Sequence, residues 1–455
     1  MRNTLILYPA NILSHLIPSL GLAAHLKKDY DIYVLISDPK FEDIVRSQGF
    51  CPLIDPLDIA MGNEMTYLKK IGRRYALLDV IFAMVKNELY HERVSTLRCQ
   101  FRHMAPVAIL IDIFHNMECL VLSAVFPKAA IICLNPMLST YKIDGLPTAS
   151  ERSWVTANSK TQKVRQKWHV HGRMSFSRNS LIHWVRNFQM GRLLKMNRLG
   201  KDNRISLNSI YTNLFDNVPE LILAPLELEL DPKVKLRNQH YLGLCINKSR
   251  TDIGIQGKFD EIFSKLKVKR NEGSKIVYCS FGTFYLDSDP SVVIFIKSII
   301  SAIAIIPGIL EVIFSVKPHI MKTLQLQVDL PKNIHFFTHV PQLLVLENAD
   351  LYITHGGLGS IKESIFYKVP MLVYPFDFRY DQNGNGLKVE HHKIGLRGVF
   401  NQDSSKEVAA KIEKILNNKT YKENISQFSD VVQHTYSDDV ISDTIKTLIR
   451  QYEPI

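Results

Sequence analysis

The sequence predicts an α/β fold built as two Rossmann-like, doubly wound parallel-sheet domains facing each other across a cleft. Three observations carry the prediction. Near the N-terminus, LILYPANILSHLIPSLGLAAHLKKDYDIYVLIS reads as strand, loop, helix, strand, with apolar runs at 5–8 and 32–36 around a helix through Leu26. A second unit of the same kind runs from Tyr352 to Gly398. There a short β-branched and aromatic run breaks at His355-Gly356-Gly357 and becomes a helical pattern from Ser360. Between the halves, residues 247–274 read as a polar linker with several glycines and lysines and one helix near 259–266.

The remaining elements follow in order. Strands are expected at 107–111 and 130–134, with a helix from about Glu118 between them and helical crossovers around 65–100. These apolar runs lack alternation, as strands covered on both faces do. From 141 to 208 the pattern becomes irregular, basic and aromatic. Within it Leu181, Trp184, Val185 and Phe188 have the i, i+3, i+4, i+7 spacing of a short amphipathic helix before Gly191. Residues 221–224 and 241–244 read as the last strands of the first half. The second half opens with a strand at 276–281 leading into Gly282-Thr283, then a helix from Pro290 and strands at 311–316, 334–337, 351–353 and 370–375. A polar loop carrying Asp381, Gln382 and Asn385 follows, and the tail beyond Ser404 is helical. The resulting division is a first domain over 1–246, a linker over 247–274, a second domain over 275–423 and a terminal segment over 424–455.

Composition narrows the class. A chain of 455 residues with 46% hydrophobic residues can bury sizeable cores. The longest apolar stretch, 298–310, is confined by Lys297, Pro307 and Glu311, so no membrane span is expected. The first strand has no small-residue cleavage pattern beside it, and cytoplasmic residence is the default expectation. The six cysteines lack a Cys-x-x-Cys pair and read as buried free thiols. The formal charge of +12 is local: between Arg152 and Arg204 thirteen Lys and Arg face one acid, Asp202, and the rest of the chain is balanced. That run is either a solvated face or a surface for anionic membrane. In the second reading Arg178, Arg186, Arg192, Lys195 and Arg198, interleaved with Trp184, Phe188 and Leu194, meet lipid, and the protein sits peripherally on the inner face of a membrane. No nucleic-acid motif accompanies the charge.

The 352–398 unit carries the clearest chemistry. Glycines after a strand let a ligand approach the backbone, and the free N–H groups at the following helix start favour a diphosphate. Glu363, one turn into the helix, offers a carboxylate to a ribose diol, while Asp381-Gln382 offers acceptors and donors to sugar hydroxyls. A lone glycine pair would be only a tight turn, but the ordered set points to a nucleotide sugar.

This stretch resembles the signature of the family 1 UDP-glycosyltransferases: His355, Gly356, Gly357, Ser360, Glu363, Pro370, Pro375, Asp381, Gln382, Asn385 and Gly395 stand in the family's order. Lys368 departs from it, standing where the family usually has glycine, and Gly359 stands where many members have asparagine. The resemblance implies the GT-B fold, with the acceptor on the first domain, the UDP-sugar on the second and the last helix returning to the first. It implies donor contacts from His355, Gly357, Gly359, Ser360, Glu363, Asp381 and Gln382. His339-Val340-Pro341-Gln342 is similar to the family's Trp-x-Pro-Gln, so His339 takes the place of the ring that stacks on uracil, with Val340 and Gln342 beside it. Gly282 and Thr283 match its diphosphate-flanking turn.

Sugar transfer to a hydroxyl requires a base, and histidine suits that role when an acid holds its tautomer. His15, in Ser14-His15-Leu16-Ile17-Pro18, is either a cap or packing residue of the first helix or, by resemblance to the family's Gly-His-x-x-Pro, the catalytic base. Asp112, after the apolar run at 107–111, either caps the next turn or orients His15, as the family's Asp-x-Phe implies. Asp287-Ser288-Asp289 matches a metal-binding Asp-x-Asp and equally a helix cap before Pro290; capping and no metal or other cofactor are expected. The implied function is an inverting, metal-independent transfer of a hexose, glucose favoured through Gln382, from a UDP-sugar to a small lipophilic hydroxylated acceptor. The alternatives are a catalytically inactive nucleotide-sugar-binding scaffold, or a UDP-sugar epimerase or hydrolase.

Overall fold

The structure, a computed structural model, describes residues 2–143, 145–151, 178–201, 203–211, 214–250, 258–282, 290–308, 310–327, 331–376 and 380–452. Two parallel sheets form its frame. The first is built from β1 (Asn3–Tyr8), β2 (Tyr30–Ile36), β3 (Cys51–Ile54), β4 (Pro106–Asp112), β5 (Ala130–Asn135), β8 (Glu220–Ile222) and β9 (Gln239–Tyr241) in the order β3-β2-β1-β4-β5-β8-β9. The short β6 (Ile205–Ser206) and β7 (Leu214–Phe215) pair separately as an antiparallel ribbon. The second sheet runs β12-β11-β10-β13-β14-β15, from β10 (Lys275–Ser280), β11 (Leu310–Ser315), β12 (Ile334–Phe337), β13 (Leu351–Thr354), β14 (Met371–Val373) and β15 (Gly395–Arg397). Both orders reverse direction beside the first strand of the sheet, which opens a crevice at the carboxyl ends of the strands.

Burial explains the unbroken apolar runs. In β1, Leu5 and Leu7 enter the core on one face while Ile6 and Tyr8 enter the core on the other. In β10, Val277 and Cys279 likewise oppose Ile276 and Tyr278. Both sheets are therefore covered on both sides at these strands, and the period of two is not written there as polar alternation. The core around Ile276 and Tyr352 also takes in Ile222 and Tyr241 from the first sheet and Leu138 from the loop after β5, so the two domains share apolar packing.

The chain crosses back at its end. Helix Lys419–Thr435 packs on helix Leu358–Phe366 of the second domain, and helix Asp438–Tyr452 returns to helix Leu13–Leu26 of the first. Ile441, Ile445, Leu448 and Ile449 enter the core that holds Leu5 and Leu16. Each such side chain contributes roughly 1.5–3 kcal/mol on burial. Asp29 accepts from Lys446 Nζ at 3.0 Å and Ser442 Oγ at 2.6 Å.

Several expectations are corrected by packing. The structure adds the edge strands β3 and β15, which are short and partly exposed, so their sequences carry little apolar signal. Helix Arg178–Met196 runs through Gly191 because Val185, Met190, Leu193 and Leu194 on its inner face are buried. The polar loop after β14 closes into helix Gln382–His391, whose Leu387 and Val389 reach the core. Of the cysteines, Cys51 and Cys99 are exposed and the other four buried. Thr283, the Asp287-Ser288-Asp289 run, Trp154 and Trp168 lie outside the described residues.

Candidate functional site

A cavity of about 560 Å³ lies between the carboxyl ends of the two sheets. On its first-domain wall β1 leads into helix Leu13–Leu26, whose third residue is His15, and β4 ends at Asp112. Because β1 and β4 are adjacent strands, their terminal loops adjoin. His15 Nδ1 lies 2.7 Å from Asp112 Oδ2, and both residues are buried. The second carboxylate oxygen, Oδ1, accepts the backbone N–H of Phe114 at 2.9 Å, and the Phe114 ring stacks on the imidazole at 4.7 Å. Burial opposes the Asp112 charge, but the charge and hydrogen bond of His15 outweigh it and hold the carboxyl below the usual carboxylate range. An anionic Asp112 accepts the Nδ1 proton, which leaves Nε2 as the basic nitrogen.

The opposite wall is the turn after β13. Gly356 sits at φ +87°, where a side chain is strained, and a Cβ there would stand 2.7 Å from Val373. Gly282, after β10, is at φ +68° and presses on the His355 ring, 2.6 Å from where its Cβ would be. His355 is thereby enclosed. Burial lowers its pKa to about 4, and its Nδ1 is buried without a hydrogen-bond partner among the described residues. Gly357 caps helix Leu358–Phe366 without a side-chain hydrogen bond, so the first N–H groups of a nine-residue helix are open to a ligand. Ser360 and Gly359 line the cavity, and a Cβ on Gly359 would meet nothing within 4 Å.

Further along this wall, Glu363 and Gln342 are bonded to each other. Glu363 accepts from Gln342 Nε2 and from Arg250 Nη1, each at 2.6 Å, and Gln342 Oε1 accepts the Tyr278 hydroxyl at 3.1 Å. His339 is exposed at the cavity mouth, and Val340 is buried beside it. Gln382 turns its side-chain oxygen to the N–H of Phe376 at 2.8 Å, and Asp381 accepts from Asn385 Nδ2 at 2.9 Å. Burial raises the Asp381 carboxyl above its ordinary value, opposed by the Asn385 hydrogen bond and by His15, whose charge reaches it across the cleft. The structure thus gathers His15, Asp112, Gly282, His339, Val340, Gln342, His355, Gly357, Gly359, Ser360, Glu363, Asp381 and Gln382 around one space, with Asp112 behind His15.

Sequence reasoning missed two contributors. Arg250 reads as part of a linker, and its partner Glu363 is far along the chain. Lys362, expected merely as a helix residue, is fully buried and donates to the Leu223 carbonyl of the first domain; burial pushes its ammonium pKa down. No local pattern announces either. The basic segment is also less free than its composition suggests. Arg186 donates to Gly62 O at 2.6 Å, Arg192 to Val85 O at 2.9 Å and Arg198 to Ala129 O, so these three guanidinium groups tie helix Arg178–Met196 and the turn after it to the domain. Lys195 is exposed, and Leu194 is buried instead of facing lipid.

Residues 268–436 match the family described as UDP-glucoronosyl and UDP-glucosyl transferase. Among curated proteins, the chain is 30% identical over 143 residues to the uncharacterized UDP-glucosyltransferase YojK of Bacillus subtilis, covering 31% of this chain and 34% of that one. It is 27% identical over 184 residues to YdhE of the same organism, covering 40% and 44%. The matches therefore span less than half the length of these relatives. Over the whole chain, the crystal structure of the glycotransferase of kitacinnamycin superposes with a TM-score of 0.66 at 18% identity, covering 98% of this chain and 100% of that one. The fold is GT-B.

Proposed function

We propose that the chain, whose residues 268–436 match the UDP-glucoronosyl and UDP-glucosyl transferase family, transfers a hexose, glucose favoured, from a UDP-sugar to a hydroxyl of a small lipophilic acceptor, with inversion at the anomeric carbon. One observation carries this reading: the His15–Asp112 pair and the His355–Gly357–Glu363 turn open on the same cavity from opposite domains. His15 Nε2 takes the acceptor's hydroxyl proton as its oxygen forms the new bond to the anomeric carbon. The bond to the diphosphate oxygen breaks, and UDP leaves with the electron pair. A single displacement inverts the configuration. Asp112 stabilises the imidazolium that results. The open N–H groups of helix Leu358–Phe366, with His355 and Ser360, meet the charge that builds on the diphosphate, so the reaction needs no metal. The apolar acceptor preference is supported by Ile12, Leu13, Ile17, Phe114 and Met137, which line the first-domain wall.

Peripheral membrane contact belongs to the same reading. Trp184 and Phe188 are 65% and 51% exposed, and on the helix packed beside them Leu78 and Phe82 are 66% and 58% exposed. Among the described residues no helix is long and apolar enough to cross a membrane.

The deciding experiment is incubation with several UDP-sugars and a panel of hydroxylated acceptors, read by mass spectrometry. An acceptor mass increased by one hexose unit supports transfer. Free sugar without acceptor product indicates a hydrolase, conversion to another UDP-sugar an epimerase, and UDP binding without any product a scaffold.

A further inference from the structure

Glu363 is gripped at both of its oxygens from two directions. Gln342 reaches Oε2 from within the second domain and is itself held by the Tyr278 hydroxyl. Arg250 reaches Oε1 from the segment that joins the two sheets. The Arg250 and Glu363 side chains are only 11% and 7% exposed, so their ion pair is largely withdrawn from water, and removing one partner would leave the other buried and uncompensated. An ionised carboxylate has about four acceptor positions. One donor on each oxygen leaves each able to accept once more, side by side, which suits two neighbouring hydroxyls.

We propose that Arg250 is a positioning residue for nucleotide selection: by pinning Glu363 against Gln342 it makes the site distinguish a ribose from a 2′-deoxyribose. The proposal rests on the reading of Glu363 as the ribose acceptor. Without Arg250 the carboxylate can turn on its own side-chain torsions, and one hydroxyl serves it as well as two. A guanidinium suits this role because its planar fork fixes orientation, whereas an ammonium holds charge without direction.

The test is isothermal titration of the full chain with UDP and with 2′-deoxy-UDP, for the parent protein, Arg250→Ala, Arg250→Lys and Glu363→Gln, with thermal melts to verify folding. The parent is expected to prefer UDP by about tenfold, a difference of one good hydrogen bond to a charged group. Glu363→Gln and Arg250→Ala reduce that preference to roughly threefold or less, and Arg250→Lys falls between. If the parent and Glu363→Gln bind both nucleotides alike, the ribose reading of Glu363 fails and the proposal with it. If Glu363→Gln loses the preference while Arg250→Ala and Arg250→Lys keep it, the ribose reading stands and the Arg250 proposal is overturned. A merely structural Arg250 would weaken both nucleotides equally and leave the ratio unchanged, which also overturns it.

Discussion

His15 and Asp112, 97 positions apart, meet at 2.7 Å between Nδ1 and Oδ2 because their strands are neighbours in one parallel sheet. With Asp112 anionic, the arrangement selects the imidazole tautomer whose Nε2 is basic. His15→Ala is expected to lower the transfer rate by about 10²–10⁴-fold and to leave UDP affinity within about twofold, since the proposed donor contacts lie on the other domain. Asp112→Asn should lower the rate with little change in the donor KM, because the wrong tautomer is favoured. Full turnover by His15→Ala would remove the base assignment.

In the proposed transfer, charge on the departing diphosphate is met by helix Leu358–Phe366 and by His355, whose Nδ1 has no partner among the described residues. Transfer activity should therefore persist within about twofold in excess chelator. Loss of activity in chelator and its recovery with magnesium would make the metal-independent step wrong.

The His115 imidazole, 4.7 Å from the Tyr8 ring, is pushed by burial to a pKa of about 4. The unfolded chain takes up that proton near pH 6.5 and the folded chain does not, so stability falls as pH drops from about 6.5 to 4. Replacing it, His115→Asn, should flatten the dependence of unfolding free energy on pH by up to about 1.4 kcal/mol per pH unit in that window. Urea titrations at pH 5 and pH 7 measure it, and an unchanged slope would contradict the buried neutral state.

Lys368 adopts φ +60°, the left-handed region, at the position where the family usually has glycine. Its Nζ also pairs with Asp430 at 2.6 Å on the surface, a contact worth at most a few tenths of a kcal/mol. Lys368→Gly should exceed Lys368→Ala in stability by about 1 kcal/mol, since both lose the ion pair and only glycine relieves the backbone. Equal unfolding midpoints for the two variants would deny the strain.

Trp184 and Phe188 stack at 6.2 Å on the outside of helix Arg178–Met196, with the Arg192 guanidinium 5.7 Å from the Phe188 ring. The protein should sediment with vesicles containing anionic lipid more than with neutral ones, and Trp184→Ser with Phe188→Ser should reduce the bound fraction severalfold. Equal sedimentation with both vesicle types would exclude the membrane contact.

Much of the frame was legible in the residues because its causes are local. Strands covered on both faces appear as apolar runs, and a strand followed by His355-Gly356-Gly357 announces a turn that only glycine relaxes. Short edge strands escaped because three or four half-covered residues carry little signal, and helix Gln382–His391 escaped because its Asn-Gly-Asn-Gly start is helical only through burial and the bonds of Asn385 to Asp381 and to the Gly356 carbonyl.

By itself the sequence determined two doubly wound halves and which residue types stand at the ends of their strands. Tertiary structure alone decided that Asp112 faces His15, that Arg250 reaches Glu363, and that Arg186, Arg192 and Arg198 turn inward to carbonyl groups. The reason is physical: a strand's period is written in its own residues, whereas a side chain's partner depends on which distant strand or domain packs beside it.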